Sequence, residues 1–159
     1  MDQIIIQCAQ EKDVIVSEET RILKSRTDAF ISAINNRDID FLESLLAPDV
    51  ETRSTVSDTV LTGDAETLGY FNRRFWMLRR NDPINVVAAA GYWTDSYPGA
   101  PCAVLFDGMR KSNIVTLRLN ESYQVRTIAF SSDESDLTAA RLLTPPNFPA
   151  TPVIPESRT

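Results

Sequence analysis

Residues 30–63 read FISAINNRDIDFLESLLAPDVETRSTVSDTVLTG, and the rest of the chain can be organised around them. Phe30, Ala33 and Ile34 recur at helical spacing and so read as the buried stripe of a helix. Asn35-Asn36-Arg37 breaks the stripe, and Asp38 is placed to cap the turn that follows. Leu42, Leu45 and Leu46 supply a second short apolar face, which Pro48-Asp49 is expected to stop. Val50 to Val56, rich in Thr and Val, then reads as a strand. Two helices that meet at a tight corner and run into a strand are therefore expected here.

Towards the N-terminus, Ser17 followed by Glu18 and Glu19 marks a helix start, because a cap and two acids complement the positive end of the helix dipole. The first helix should span Glu18 to Asn35. Residues 1–16, with the β-prone runs Ile4 to Ile6 and Val14 to Val16, read as an appended arm. On the other side, Gly63-Asp64 opens a third helix with Leu68, Phe71, Phe75 and Leu78 on one face, and Asn81-Asp82-Pro83 ends it. Four strand-like runs follow: Ile84 to Trp93, Cys102 to Phe106, Ser112 to Leu119 and Tyr123 to Phe130. Asp107-Gly108 and Asn120-Glu121-Ser122 supply hairpin connections, which predicts an antiparallel meander. Ser131 with Glu134 forms a capping box for a short helix through Leu143, and residues 144–159, with five prolines, read as a tail. One α+β domain over residues 17–143 results, since helices come first and a long run of strands second.

Composition narrows the function. A chain of 159 residues with 43% hydrophobic and 24% charged residues is an ordinary globular sequence, and it has no apolar run long enough for a membrane span. The acidic start MDQIIIQCAQEKD lacks the basic n-region of a secretory signal, so a cytoplasmic location is expected. A net charge of −6 disfavours a phosphate-backbone partner, which needs clustered cations. With no histidine, the usual zinc sites, a Ser-His-Asp triad and a Cys-His pair are excluded. Cys8 and Cys102 have no ligand spacing and read as small buried hydrophobes.

Taken in order, the helix corner NNRDIDFLESLLAPDV, the Gly63 helix entry and the hairpin pattern AVLFDGMRKSNIVTLRLN resemble the SnoaL-like branch of the NTF2-like superfamily over residues 20–143. The resemblance implies a cone in which three N-terminal helices pack on a bent antiparallel sheet, followed by a short C-terminal helix. It also implies a homodimer paired through the outward sheet face at Thr116, Arg118, Thr127 and Ala129. Enzymes of this kind, such as ketosteroid isomerase, limonene epoxide hydrolase and the polyketide cyclases, work without metals or organic cofactors, using carboxylates tuned by an apolar wall. In this sequence the isomerase tyrosine falls on Phe30, its general base on Ser54 and its protonated aspartate near Val115. The epoxide hydrolase Tyr and Asn fall on Thr52 and Ser54, and a final-strand acid falls close to Phe130. The implied function is a cofactor-free enzyme acting on an apolar small molecule by cyclisation, isomerisation, dehydration or hydrolysis. The alternative is a non-catalytic ligand-binding or dimerisation module.

Strand alternation gives the candidate residues. Thr52 and Ser54 share one face of the first strand, and Asn113, Val115 and Leu117 share one face of a later one. Thr52, Ser54 and Asn113 can hold a carbonyl, a hydroxyl or a water, although each also suits an ordinary strand. Phe30, Ile34, Val115, Leu117, Ile128 and Phe130 are expected to line the apolar cavity. Tyr92, Trp93, Asp95 and Tyr97, clustered around the loop TDSYPGAP, are expected to form a binding rim, with Asp95 the acid to test first. Asp49, Asp58, Asp107 and Asp133 sit at turns or element ends, where local structure accounts for them.

Overall fold

A computed structural model describes residues 18–55, 60–80, 86–93 and 100–143, with backbone alone for 75–80 and 86. The arm, the tail, Cys8 and the 94–99 loop lie outside the described residues. Helix α1 spans Glu18–Asn36 and buries Thr27, Phe30, Ala33 and Ile34, the stripe legible in the sequence. It ends with Arg37 in the left-handed region at φ 52. Asp38 N donates to Ala33 O at 2.9 Å and Arg37 N to Ile34 O at 3.2 Å, the paired bonds of a Schellman turn. The guanidinium adds a bond of 3.2 Å to Ile34 O, which helps arginine hold a position that favours glycine. Asp38 then caps α2 (Ile39–Leu45), its Oδ1 accepting from Phe41 N at 3.0 Å.

The second helix ends before Pro48. Leu46 is already extended, and strand β1 spans Leu46–Ser54. Pro48 falls where the β1 register shifts between Leu46 and Glu51, so its missing N–H costs no ladder bond. β2 is the two-residue strand Leu61–Thr62, and Gly63, at φ 91, turns the chain into α3 (Asp64–Arg80). Then come β3 (Val86–Trp93), β4 (Ala100–Asp107), β5 (Arg110–Leu119) and β6 (Val125–Ser131).

With Ala140–Leu142 as β7, one sheet runs in the order β2-β1-β6-β5-β4-β3-β7. Strands β3 to β6 form the expected antiparallel meander. The sheet as a whole is mixed rather than antiparallel, because β1 lies parallel to β6. A crossover through β2, α3 and the meander brings these two strands together. The C-terminal helix also differs from expectation. Asp133 is the N-cap of α4, which covers only Glu134–Ala139, while Ser131 Oγ donates to Asp136 at 2.5 Å. Ala140–Leu142 leaves the helix as β7 and pairs with Gly91, Tyr92 and Trp93 on the edge of β3. Extending the helix would leave that edge open and expose Ala140, which is buried.

Each face of the sheet has its own core. On the inner face, α1, α2 and α3 cover a cluster including Phe30, Leu42, Phe71, Val115, Leu117 and Ile128. On the outer face, α4 and β7 cover Ala89, Cys102, Val104, Phe106 and Ile114, with Leu137 and Leu142 at the margin.

Candidate functional site

The inner face is laid out in cross-strand rows. Ser54, Phe130, Val115, Ala103 and Ala90 are successive partners across β1, β6, β5, β4 and β3. Thr52, Ile128 and Leu117 form the next row. Phe30 and Ile34 of α1 pack against the same cluster. The structure thus brings together eight of the residues named from the sequence: Phe30, Ile34, Thr52, Ser54, Val115, Leu117, Ile128 and Phe130. Phe30, Val115 and Ile128 are fully buried, whereas Phe130, Ser54 and Asn113 are only partly so. Asn113 opposes Leu105 at the same end of the sheet, one step beyond the Val115 row.

Aromatic rings dominate this end of the site. Phe30 and Phe71 meet edge to face at 6.1 Å between centroids, and Tyr70 and Phe71 do so at 5.2 Å. Phe130 completes the group, 6.1 Å from Phe71 and 6.5 Å from Tyr70. Tyr70 and Phe130 are half-buried, so the cluster reaches the surface between α3 and the end of β6. Among the described residues, the buried polar side chains are Thr27, Thr52 and Thr67, and no acid is among them. Thr52 Oγ1 and Thr67 Oγ1 share a hydrogen bond of 3.0 Å that ties β1 to α3.

Two contributors were missed in the sequence. Thr67 lies in the first turn of α3, three and four residues before Tyr70 and Phe71 and therefore on their side of the helix; that spacing was the available signal. Asn35, read from sequence as a helix breaker, grips the edge of β3. Its Nδ2 donates to Ala88 O at 2.9 Å and its Oδ1 accepts from Ala88 N at 2.7 Å. β7 reaches only Gly91–Trp93, so this side chain satisfies backbone that the sheet leaves unpaired.

Other candidates fall elsewhere. Tyr92 shares the alternation of Ala88 and belongs to the inner face, two residues along β3 from Ala90 of the Ser54 row and four strands across the sheet from β1. Trp93 alternates to the outer face, in register with Ala140, and its buried Nε1 has no hydrogen-bond partner among the described residues. The structure therefore does not unite Trp93 with the inner-face residues. Asp95 and Asp58 lie outside the described residues. Asp49, Asp107 and Asp133 are exposed. Cys102 is buried under α4; burial pushes its thiol up to about 11, partly offset by the charge of Lys111. Lys111 Nζ itself donates to Leu137 O at 3.2 Å and Ala140 O at 3.1 Å, closing the end of α4. No group of three or more Cys, Asp or Glu is arranged to hold a metal ion among the described residues, and no helix among them is long and apolar enough to cross a membrane.

A separate groove of about 590 Å³ opens at the start of α1, lined by Glu19, Leu23, Leu117, Leu119, Glu121 and Tyr123. Of the expected site residues, Leu117 alone borders it.

No family model matches the chain, and no curated protein matches it. Solved structures do. A SnoaL-like protein of unknown function from Burkholderia thailandensis superposes with a TM-score of 0.55 at 12% identity, over 69% of this chain and 93% of that one. An LEH-like epoxide hydrolase from M. tuberculosis gives 0.52 at 15% identity, over 77% and 90%. A steroid delta-isomerase from Pseudomonas aeruginosa gives 0.50 at 16%, over 77% and 86%.

The fold is that of the SnoaL-like, NTF2-like proteins.

In this fold, the resemblance assigns a tyrosine to the position of Phe30, a base to that of Ser54 and a protonated acid near Val115. All three lie on or against the inner face, with apolar or hydroxyl groups in place of the ionisable ones.

Proposed function

We propose that the chain binds an apolar small molecule in the NTF2-like cone, against the inner sheet face and the aromatic group formed by Phe30, Tyr70, Phe71 and Phe130. The observation that supports this reading is the pairing of half-buried rings at the edge of the core with buried polar groups that are threonines rather than acids. Rings of this kind offer a flat apolar body a large contact area, and a few hydroxyls orient it. A neutral dye such as Nile red should bind saturably, one per chain, and Tyr70→Ala should weaken it about tenfold, as loss of a ring contact of ~1.4 kcal/mol implies. Non-saturable binding, or binding indifferent to both Tyr70→Ala and Phe130→Ala, would defeat the proposal.

A second reading is a cofactor-free cytoplasmic enzyme acting on the same apolar ligand by cyclisation, isomerisation, dehydration or hydrolysis. The likeness to an epoxide hydrolase and a steroid delta-isomerase favours it. Mass spectrometry of the molecule carried by the purified protein separates the two: conversion over hours supports the enzyme, and unchanged recovery supports the binder.

Self-association belongs to the same proposal. Thr116, Thr127 and Ala129 are half-buried and Arg118 is exposed on the outer face of β5 and β6, beyond the cluster that α4 and β7 cover. Sedimentation should find a dimer at tens of micromolar protein.

A further inference from the structure

Thr27 and Thr67 are both buried helical threonines, and they use their hydroxyls differently. Thr27 Oγ1 donates one turn back to Leu23 O at 2.8 Å, the usual way for a helix to satisfy such a group. The equivalent carbonyl for Thr67 is Gly63 O, which accepts the backbone N–H of Thr67 at 3.2 Å but not its hydroxyl. That hydroxyl turns to Thr52 Oγ1 instead. Two hydroxyls carry two protons, and the single bond between them uses one. Neither group has a further partner among the described residues. One O–H is therefore unmatched where Thr67 is 0% and Thr52 5% exposed. An isolated buried donor is costly, so its retention calls for an acceptor.

The position says what that acceptor is attached to. Thr67 precedes Tyr70 and Phe71 on one helix face, and Thr52 lies in the row beside Ser54 and Phe130. We infer that the Thr52–Thr67 pair is a hydrogen-bond donor held for the ligand, which makes that ligand a neutral carbonyl or ether compound with a flat apolar body. A carboxylate is disfavoured, because no cation is among the described buried residues and one neutral donor does not offset its desolvation. A plain hydrocarbon would leave the proton unmatched. The inference rests on the reading of the cone as an apolar ligand site.

The test compares acetylnaphthalene with isopropenylnaphthalene, which replaces C=O by C=CH2 in nearly the same shape. Binding of both to the full chain is measured for the wild type and for Thr52→Val/Thr67→Val. The variant should bind the ketone about tenfold more weakly, as one lost hydrogen bond implies, and the hydrocarbon within about twofold of wild type. Without ligand, it should melt at or above the wild-type temperature, because both polar partners are replaced by groups of the same shape. The carbonyl stretch of the ketone bound to the wild type should lie below its position in cyclohexane, a readout independent of the variant. If both probes bind but the stretch stays at the cyclohexane position, or the variant weakens both alike, the donor inference falls and the apolar site stands. If neither probe binds the wild type, both fall.

Discussion

The inner and outer faces of one sheet are both buried, yet their cores are built from different parts. The outer core, under α4 and β7, consists largely of small side chains: Ala89, Cys102, Val104 and Ala140. There Gly91 is closed in so tightly that a β-carbon would lie 2.6 Å from Arg141 O and 3.2 Å from Val104 Cγ2. The inner core is mostly aliphatic, and at one end it adds large rings from α1, α3 and β6, two of them half-buried, together with two hydroxyls bonded to each other. Close backbone approach closes the first face; the second has half-buried rings at its edge and a buried hydroxyl pair. The pocket reading belongs to the inner face for that reason.

Removing a ring from the inner core should have the largest effect on folding. Phe71, 2% exposed and touching three other rings, is expected to cost ~3–5 kcal/mol when replaced by alanine, measured as the shift in urea midpoint. On the outer face the opposite change, adding one carbon by Gly91→Ala, should cost ~1–3 kcal/mol, because the obstructing atom is backbone and cannot rotate aside. A neutral outcome there would mean that β7 is not seated on β3. The seam between the faces is the third target. Asn35→Ala should cost ~1 kcal/mol and speed amide exchange at Ala88, whose N–H now donates to Asn35 Oδ1.

The last of these effects depends on pH. Burial raises the Cys102 thiol from 9.0 to about 11, so between those values an unfolded chain loses a proton that the folded chain keeps. The contribution of Cys102 is full below pH 9 and declines as pH rises through the window. The stability difference between wild type and Cys102→Ala should shrink accordingly from pH 8.5 to about 10.5. A difference independent of pH would show that water reaches the outer core.

What the sequence revealed follows from which interactions are local. The helix corner was legible because Asn35 to Asp38 carries its own turn and cap. The inner strand phases were legible because alternation survives whatever the pairing. Pairing itself was not. β1 lies parallel to β6 through contacts between residues such as Thr52 and Ile128, far apart in the chain, and no turn residue encodes that register. Ala140–Leu142 reads equally well as the end of a helix, and only the open edge of β3 decides for a strand. Trp93 was placed by its composition-rich neighbourhood, whereas one step of alternation from Tyr92 moves it to the opposite face. Thr67 was hidden because its partner, Thr52, is supplied by another element.

Methyl resonances can distinguish the two faces directly. With acetylnaphthalene added to methyl-labelled protein, Val115, Leu117 and Ile128 on the inner face should shift and saturate together, while Val104 and Ile114 on the outer face stay in place. Saturable shifts confined to Val104 and Ile114, or no saturable shift at Val115 and Ile128, would contradict a ligand site on the inner face.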